Sequence, residues 1–131
     1  LKTLILRDNV IEKLPESFGN LANLEKLNLK DNLIGNLPVS FGNLTNLKEL
    51  DLKANEVINL PSSFSKLNNL EVLNIAFNFN IENESVAMIL SKMKNLKLVD
   101  ISDSYFPENI VSKMRSANPN TTFKAVNLVK K

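Results

Sequence analysis

The chain is predicted to be α/β, a right-handed solenoid with a curved parallel sheet and a helical C-terminal cap. Three observations predict this. Leu1, Leu24 and Leu47 open consecutive 23-residue blocks, LKTLILRDNVIEKLPESFGNLAN, LEKLNLKDNLIGNLPVSFGNLTN and LKELDLKANEVINLPSSFSKLNN, and Leu70 opens a fourth. A period between roughly 20 and 50 residues is the mark of stacked repeats. Each block begins with an apolar alternation of period two, which suits a short strand. Each of the three also carries Leu-Pro near its middle, at Pro15, Pro38 and Pro61, and a proline without an N–H cannot lie inside a helix or a central strand.

The elements follow in order. Leu27 and Leu29 share one face of a strand, with Leu24 just before it, and the same spacing places strands near residues 3–7, 26–30, 49–53, 72–76 and 98–102. Ile34, Leu37, Phe41 and Leu44 then turn inward along the return path. The Leu-Pro pair and the glycines restrict that path to a short extended or 3₁₀ stretch. Phe18, Phe41 and Phe64 recur at repeat spacing, so they are expected to form an apolar column, continued by Leu90. One repeat alone buries too little apolar surface to offset the entropy of ordering its residues, so stacking is obligatory.

From residue 79 the pattern changes. The fourth repeat, Leu70 to Asn95, has 26 residues and no Leu-Pro. Val86, Ile89, Leu90 and Met93 make a helical stripe, with Asn83 expected as N-cap and Glu84 in the first turn, giving a helix near 84–94. A second helix is expected near 107–117, with Pro107 at its start, Ile110, Val111 and Met114 buried, and Asn118-Pro119 ending it. TTFKAV reads as one last strand with Phe123 and Ala125 inward. The chain is thus read as a single domain over 1–131, with regular repeats over 1–69 and helix-containing repeats with a C-terminal cap and polar tail, NLVKK, over 70–131. Leu1 falls on the first consensus position of a repeat, so the chain reads as a fragment lacking an N-terminal cap. Self-association through Leu1, Leu4 and Leu6 is expected there.

The aligned pattern LxxLxLxxNxIxxLPxxFxxLxN resembles the leucine-rich repeat family, in its 23-residue subtype, over residues 1 to about 104. Similar repeats belong to intracellular scaffold proteins of small-GTPase signalling and cell polarity, to their plant relatives and to many bacterial proteins. The resemblance implies that Asn9, Asn32, Asn55 and Asn78 turn inward and bond backbone groups of adjacent coils as a ladder. A buried amide left unpaired would cost about 1–3 kcal/mol. Ser104 stands at the next such position, where little remains to stack beyond it.

Repeat arithmetic also names the surface. At the second position Lys2, Glu25, Lys48, Glu71 and Lys97 alternate in sign, which favours cross-strand pairs over a binding site. Ile5, Asn28, Asp51, Asn74 and Asp100 hold the fifth position, and Arg7, Lys30, Lys53, Ala76 and Ser102 the seventh. Asn28, Lys30, Asp51, Lys53 and Asn74 are read as free of structural duty. Phe77 stands where Asp8 and Asp31 stand in earlier repeats, and Phe77, Phe79 and Tyr105 are expected to cluster at one rim. Exposed aromatics in a charged field have the composition of an interface hot spot. The candidate protein-binding residues are therefore Asn28, Lys30, Asp51, Lys53, Asn74, Phe77 and Asp100, with Phe79 read as packing over the loop.

Composition narrows the function classes. The 131 residues contain no cysteine and no histidine, which removes thiol nucleophiles, imidazole bases and the commonest zinc ligands. No metal or cofactor is expected. The net charge of +2 is spread along the chain without the basic stripe that nucleic acid needs, and no apolar run approaches membrane-spanning length. Asp51 and Asp100 lie two strands apart, about 9–10 Å, too far for a retaining carboxylate pair and marginal for an inverting one. Gly19 and Gly42 lack the Lys and Ser/Thr of a phosphate-binding loop. The chain is accordingly read as a non-enzymatic protein-interaction module with a concave recognition surface that takes a protein or peptide. Two alternatives stay open: surface or host-contact recognition by a bacterial protein, and the regulatory or substrate-reading part of a larger enzyme. Lack of cysteine favours the cytoplasm while leaving export or surface display open.

Overall fold

The computed structural model describes residues 1–128, in which the chain winds through successive coils. Their strands form one sheet in sequence order, β1 (Thr3–Ile5), β2 (Lys26–Asn28), β3 (Glu49–Asp51), β4 (Val72–Asn74), β5 (Leu98–Asp100) and β6 (Thr122–Lys124). Every neighbouring pair is parallel and in repeat register, so Leu4, Leu27, Leu50, Leu73, Val99 and Phe123 align. β6 is the strand expected in TTFKAV, with Phe123 buried and Ala125 partly so.

The five strands placed by the repeat spacing all end at the fifth repeat position, two residues early; in β2 to β5 a local bond marks that end, whereas β1 ends at Ile5 without one. Asn28, Asp51, Asn74 and Asp100 accept the backbone N–H two residues on, at 2.9–3.0 Å. That N–H is thereby lost to the sheet, and the chain turns. The sequence reading takes Asn28, Asp51 and Asn74 as free of structural duty and Asp100 as a candidate binding residue; each of the four holds the turn at the end of its strand.

The return paths of the first three coils are 3₁₀ turns at Glu16–Asn20, Val39–Asn43 and Ser62–Lys66, each preceded by its proline in extended conformation. Phe18, Phe41 and Phe64 stack along them with centroids 6.2 and 6.1 Å apart and rings nearly parallel. Leu90, expected to continue the column, is fully buried, and the helix that carries it lies against the third of these turns. A Cβ on Gly19 would sit 2.5 Å from the Ser40 carbonyl oxygen, and one on Gly42 would meet the Ser63 carbonyl. Only glycine lets these coils approach so closely.

The asparagine ladder runs through the core. Asn32, Asn55 and Asn78 are buried. Their amides donate to carbonyls of their own and the preceding coil, as Asn55 does to Leu29 and Leu52 at 2.9 and 3.2 Å. Their Oδ1 atoms accept from Ile11, Ile34 and Val57. Asn9 is exposed and bonds only within its own coil, to Leu6 and Arg7, so it caps the ladder instead of bridging coils. Ser104 does not end the ladder but extends it, accepting from Asn78 N–H at 3.0 Å and donating to Ile75 O at 2.7 Å.

Two further columns tie coils together. Ser40 and Ser63 donate to Glu16 O and Val39 O, each at 2.6 Å. Asn46, Asn69 and Asn95 donate to Ala22, Thr45 and Asn68 carbonyls at 2.7–2.8 Å.

Beyond residue 79 the return paths become helices, α1 (Asn83–Leu90) and α2 (Glu108–Ala117). α1 is shorter than expected because its last turn tightens: Lys92 and Met93 donate to carbonyls three residues back. Met93 is buried outside the helix, and Ile89 only partly. The N-cap is Glu82, not Asn83, and no side chain caps that end; the Asn83 amide nitrogen is buried without a partner. α2 begins one residue after its expected start, because Pro107 is the cap itself, and Ile110, Val111 and Met114 are its buried side chains.

Candidate protein-interaction face

Along each strand and just past it, the third, fifth and seventh repeat positions alternate with the core-facing fourth and sixth, so Asn28, Lys30, Asp51, Lys53, Asn74 and Asp100 share the open face of the sheet, with Phe77 just beyond the end of β4. Thr3, Lys26, Glu49, Asn28, Asp51 and Asn74 line a shallow depression there of about 320 Å³. The second-position charges behave as expected: Glu25 pairs with Lys2 and Lys48 at 3.9 and 3.6 Å, and Glu71 with Lys97 at 3.0 Å. Lys26 and Glu49 add a pair at 3.0 Å that the sequence reading missed. Exposed pairs of this kind are worth about 0–1 kcal/mol, so they order the surface more than they stabilise it.

Lys30 and Lys53 differ from these lysines. Among the described residues neither has an ion-pair partner within 4 Å. Lys53 instead lies with its ammonium 5.4 Å from the centroid of the Phe77 ring. Asn28, Asp51, Asn74 and Asp100 are half-buried and each spends one oxygen on the backbone bond that ends its strand.

The aromatic cluster exists. Phe77 meets Phe79 edge-on at 6.2 Å, and Phe79 meets Tyr105 at 5.9 Å. Phe79 keeps 44% of its surface exposed, so it does not pack away over the loop; it bridges the other two rings. The eighth position is left-handed in every coil, with φ of 60° at Asp8, 56° at Asp31 and Ala54, 57° at Phe77 and 55° at Asp103. Aspartate tolerates that conformation. A phenylalanine there bears a cost of about 1–2 kcal/mol, and Tyr105, at φ 57°, bears it as well. The signal was available in the sequence, where this column is otherwise mostly Asp. Asp103 is buried and accepts the Leu128 N–H at 2.7 Å.

Among the described residues no group of three His, Cys, Asp or Glu side chains is placed to hold a metal, and no helix is long and apolar enough to cross a membrane.

The family model of a leucine-rich repeat region matches residues 1–118. The chain is similar in structure to a leucine-rich repeat protein of Leptospira interrogans, with TM-score 0.73 and 26% sequence identity over 98% of this chain. The chain spans 31% of that protein's length. No curated protein matches it in sequence. With a coil register that repeats from β1 to β6 and a family match over most of its length, the chain belongs to the leucine-rich repeat family.

Proposed function

We propose that this chain recognises a protein or peptide on the open face of its sheet, centred on Asn28, Lys30, Asp51, Lys53, Asn74, Phe77 and Asp100. Leucine-rich repeat domains are in general protein-interaction modules, and the fold is typically a non-enzymatic scaffold. The observation that carries the reading is the contrast among lysines on one face: Lys2, Lys26, Lys48 and Lys97 are paired with carboxylates, whereas Lys30 and Lys53 have no such partner among the described residues. Spacing supports a concave form for this face. Ring centroids in the phenylalanine column are 6.1–6.2 Å apart, against about 4.8 Å between paired strands, which is the direction of spacing that a concave sheet face needs. The helical coils after residue 79 serve as the C-terminal cap in this reading; its tail residues 129–131 lie outside the described residues.

A second reading is recognition at a bacterial surface or in host contact. Its support is the bacterial source of the similar solved structure. Contact between copies through the first coil is part of the proposal for a chain starting at Leu1, because Leu1 is 67% exposed and Leu4 and Leu6 are only partly covered. Sedimentation at high concentration tests it, and a clean monomer contradicts it.

The main test is calorimetric titration with a partner obtained by affinity capture. Phe77→Ala and Lys53→Glu each weaken binding by about 1–3 kcal/mol with little change in melting temperature. Lys13→Glu, on the return path, leaves affinity unchanged. Intact affinity in both sheet-face variants, together with loss in Lys13→Glu, would place the interaction elsewhere.

A further inference from the structure

The tenth repeat position forms a ridge just beyond the C-terminal ends of the strands. It runs Val10, Leu33, Glu56, Phe79 and Tyr105. Val10 is 80% exposed, Leu33 40% and Phe79 44%, so apolar surface is offered from the first coil to the fourth at one register. Scattered exposed apolar side chains need no explanation, but a contiguous row of them does. One carboxylate interrupts the row. Glu56 is exposed and, among the described residues, has no ion-pair partner; the same holds for Asp31, two residues before Leu33.

Beside the aromatic end of the ridge, at the eighth position, one ring already lies under a cation. Lys53 holds its ammonium over the Phe77 ring, and Phe79 and Tyr105 extend the ring system beside Glu56's column. Phe77 and Tyr105 both keep left-handed backbone, which bulky residues rarely adopt. The left-handed φ of Phe77 is that of every eighth position, but Tyr105 alone among the tenth-position residues adopts it, so the strain peculiar to this rim sits at Tyr105 and points to use of the cluster. Aromatic faces next to an uncompensated carboxylate favour a guanidinium or ammonium, and arginine most, because it stacks and pairs at once.

We infer that this ridge takes a basic, apolar protein segment, whose arginine or lysine lies against Phe79 and Tyr105 and pairs with Glu56 while its apolar neighbours cover Leu33 and Val10. The inference rests on the proposed sheet-face recognition and names the chemistry of the segment that reaches its rim. An acidic segment drawn to Lys30 and Lys53 is the competing outcome.

The test is selection of a random dodecapeptide display library on the whole chain, followed by anisotropy titration of the enriched peptides. The expected result is enrichment of arginine or lysine flanked by apolar residues, with binding at least about ten-fold weaker to Glu56→Lys and to Phe79→Ala, a loss of about 1.4 kcal/mol in each. Both positions are exposed, and a circular dichroism spectrum unchanged from the parent confirms that the variants fold. Peptides without a basic residue, or with acidic ones, that lose binding on Lys53→Glu but not on Glu56→Lys overturn this inference and leave the sheet-face reading standing. Peptides indifferent to Lys53→Glu, Phe77→Ala and Glu56→Lys alike overturn both, as does the absence of any enrichment.

Discussion

Residues 1–69 and 70–128 stack on the same sheet in the same register, yet they hold their coils together differently. In the first region the return paths are 3₁₀ turns whose carbonyls are open to the next coil, and Ser40 and Ser63 reach across to Glu16 O and Val39 O. The Glu16 carboxylate also accepts the N–H groups of Val39 and Ser40, at 3.2 and 3.3 Å. In the second region a helix satisfies its own carbonyls, so the serine column stops. Side-chain packing of Val86, Leu90, Ile110 and Met114 replaces it, with Asn118 donating to Leu90 O at 2.8 Å at the helix end. The return path therefore decides whether coils are tied along it by a repeated serine column or by helix side chains with single hydrogen bonds at the helix ends, such as Asn118 to Leu90 O and Lys94 Nζ to Ala117 O.

The largest expected effect tests whether the core is continuous across the junction. Phe41→Ala removes a fully buried ring between two others and should cost about 4 kcal/mol, and Leu90→Ala, at the expected continuation of that column, about 3 kcal/mol. Urea denaturation measures both. A negligible loss at Leu90 would mean that the two regions do not share one apolar column.

Next is the close approach of coils. Gly42→Ala drives a Cβ into Ser63 and should destabilise by about 2 kcal/mol. Ser65→Ala, at the equivalent position facing α1, should change stability by less than about 0.5 kcal/mol, since Ser65 bonds only the Ser62 carbonyl of its own turn. Equal losses at the two sites would erase the distinction between 3₁₀ and helical returns.

The ladder separates buried from exposed amides. Asn32→Ala and Asn55→Ala should each cost about 1–3 kcal/mol, because backbone groups of two coils lose their partner. Asn36→Ala, on an exposed site, should cost under about 0.5 kcal/mol. Equal denaturation midpoints for the three would refute the ladder. The smallest effect belongs to the sheet face: Glu25→Gln removes the partner of Lys2 and Lys48 but should lower stability by under about 1 kcal/mol, and less in high salt.

Much of this was legible in the residues. The order of strands, the inward leucines, the phenylalanine column and the ladder amides follow from a period of 23 and from the alternation within it. The aromatic rim at Phe77, Phe79 and Tyr105 followed from the same arithmetic. What was missed lies in columns whose role is local hydrogen bonding. Asn28, Asp51, Asn74 and Asp100 are all Asn or Asp, a sign of side-chain turns, yet the sequence reading takes them as binding surface. The serine and terminal asparagine columns were visible as repeats without showing which carbonyl they would meet.

By itself, then, the sequence determined the period, and with it which side chains share a face, because stacked identical blocks bring equal positions together whatever the details of the turns. Tertiary structure alone decided that Asn9 stays outside the ladder while Ser104 joins it, and that Lys30 and Lys53 have no ion-pair partner among the described residues although they look like the other lysines in the chain. The reason is range. Periodicity fixes neighbours to within a coil, some 5 Å, whereas a hydrogen bond or ion pair is decided within a few tenths of an ångström by the backbone of the adjacent coil.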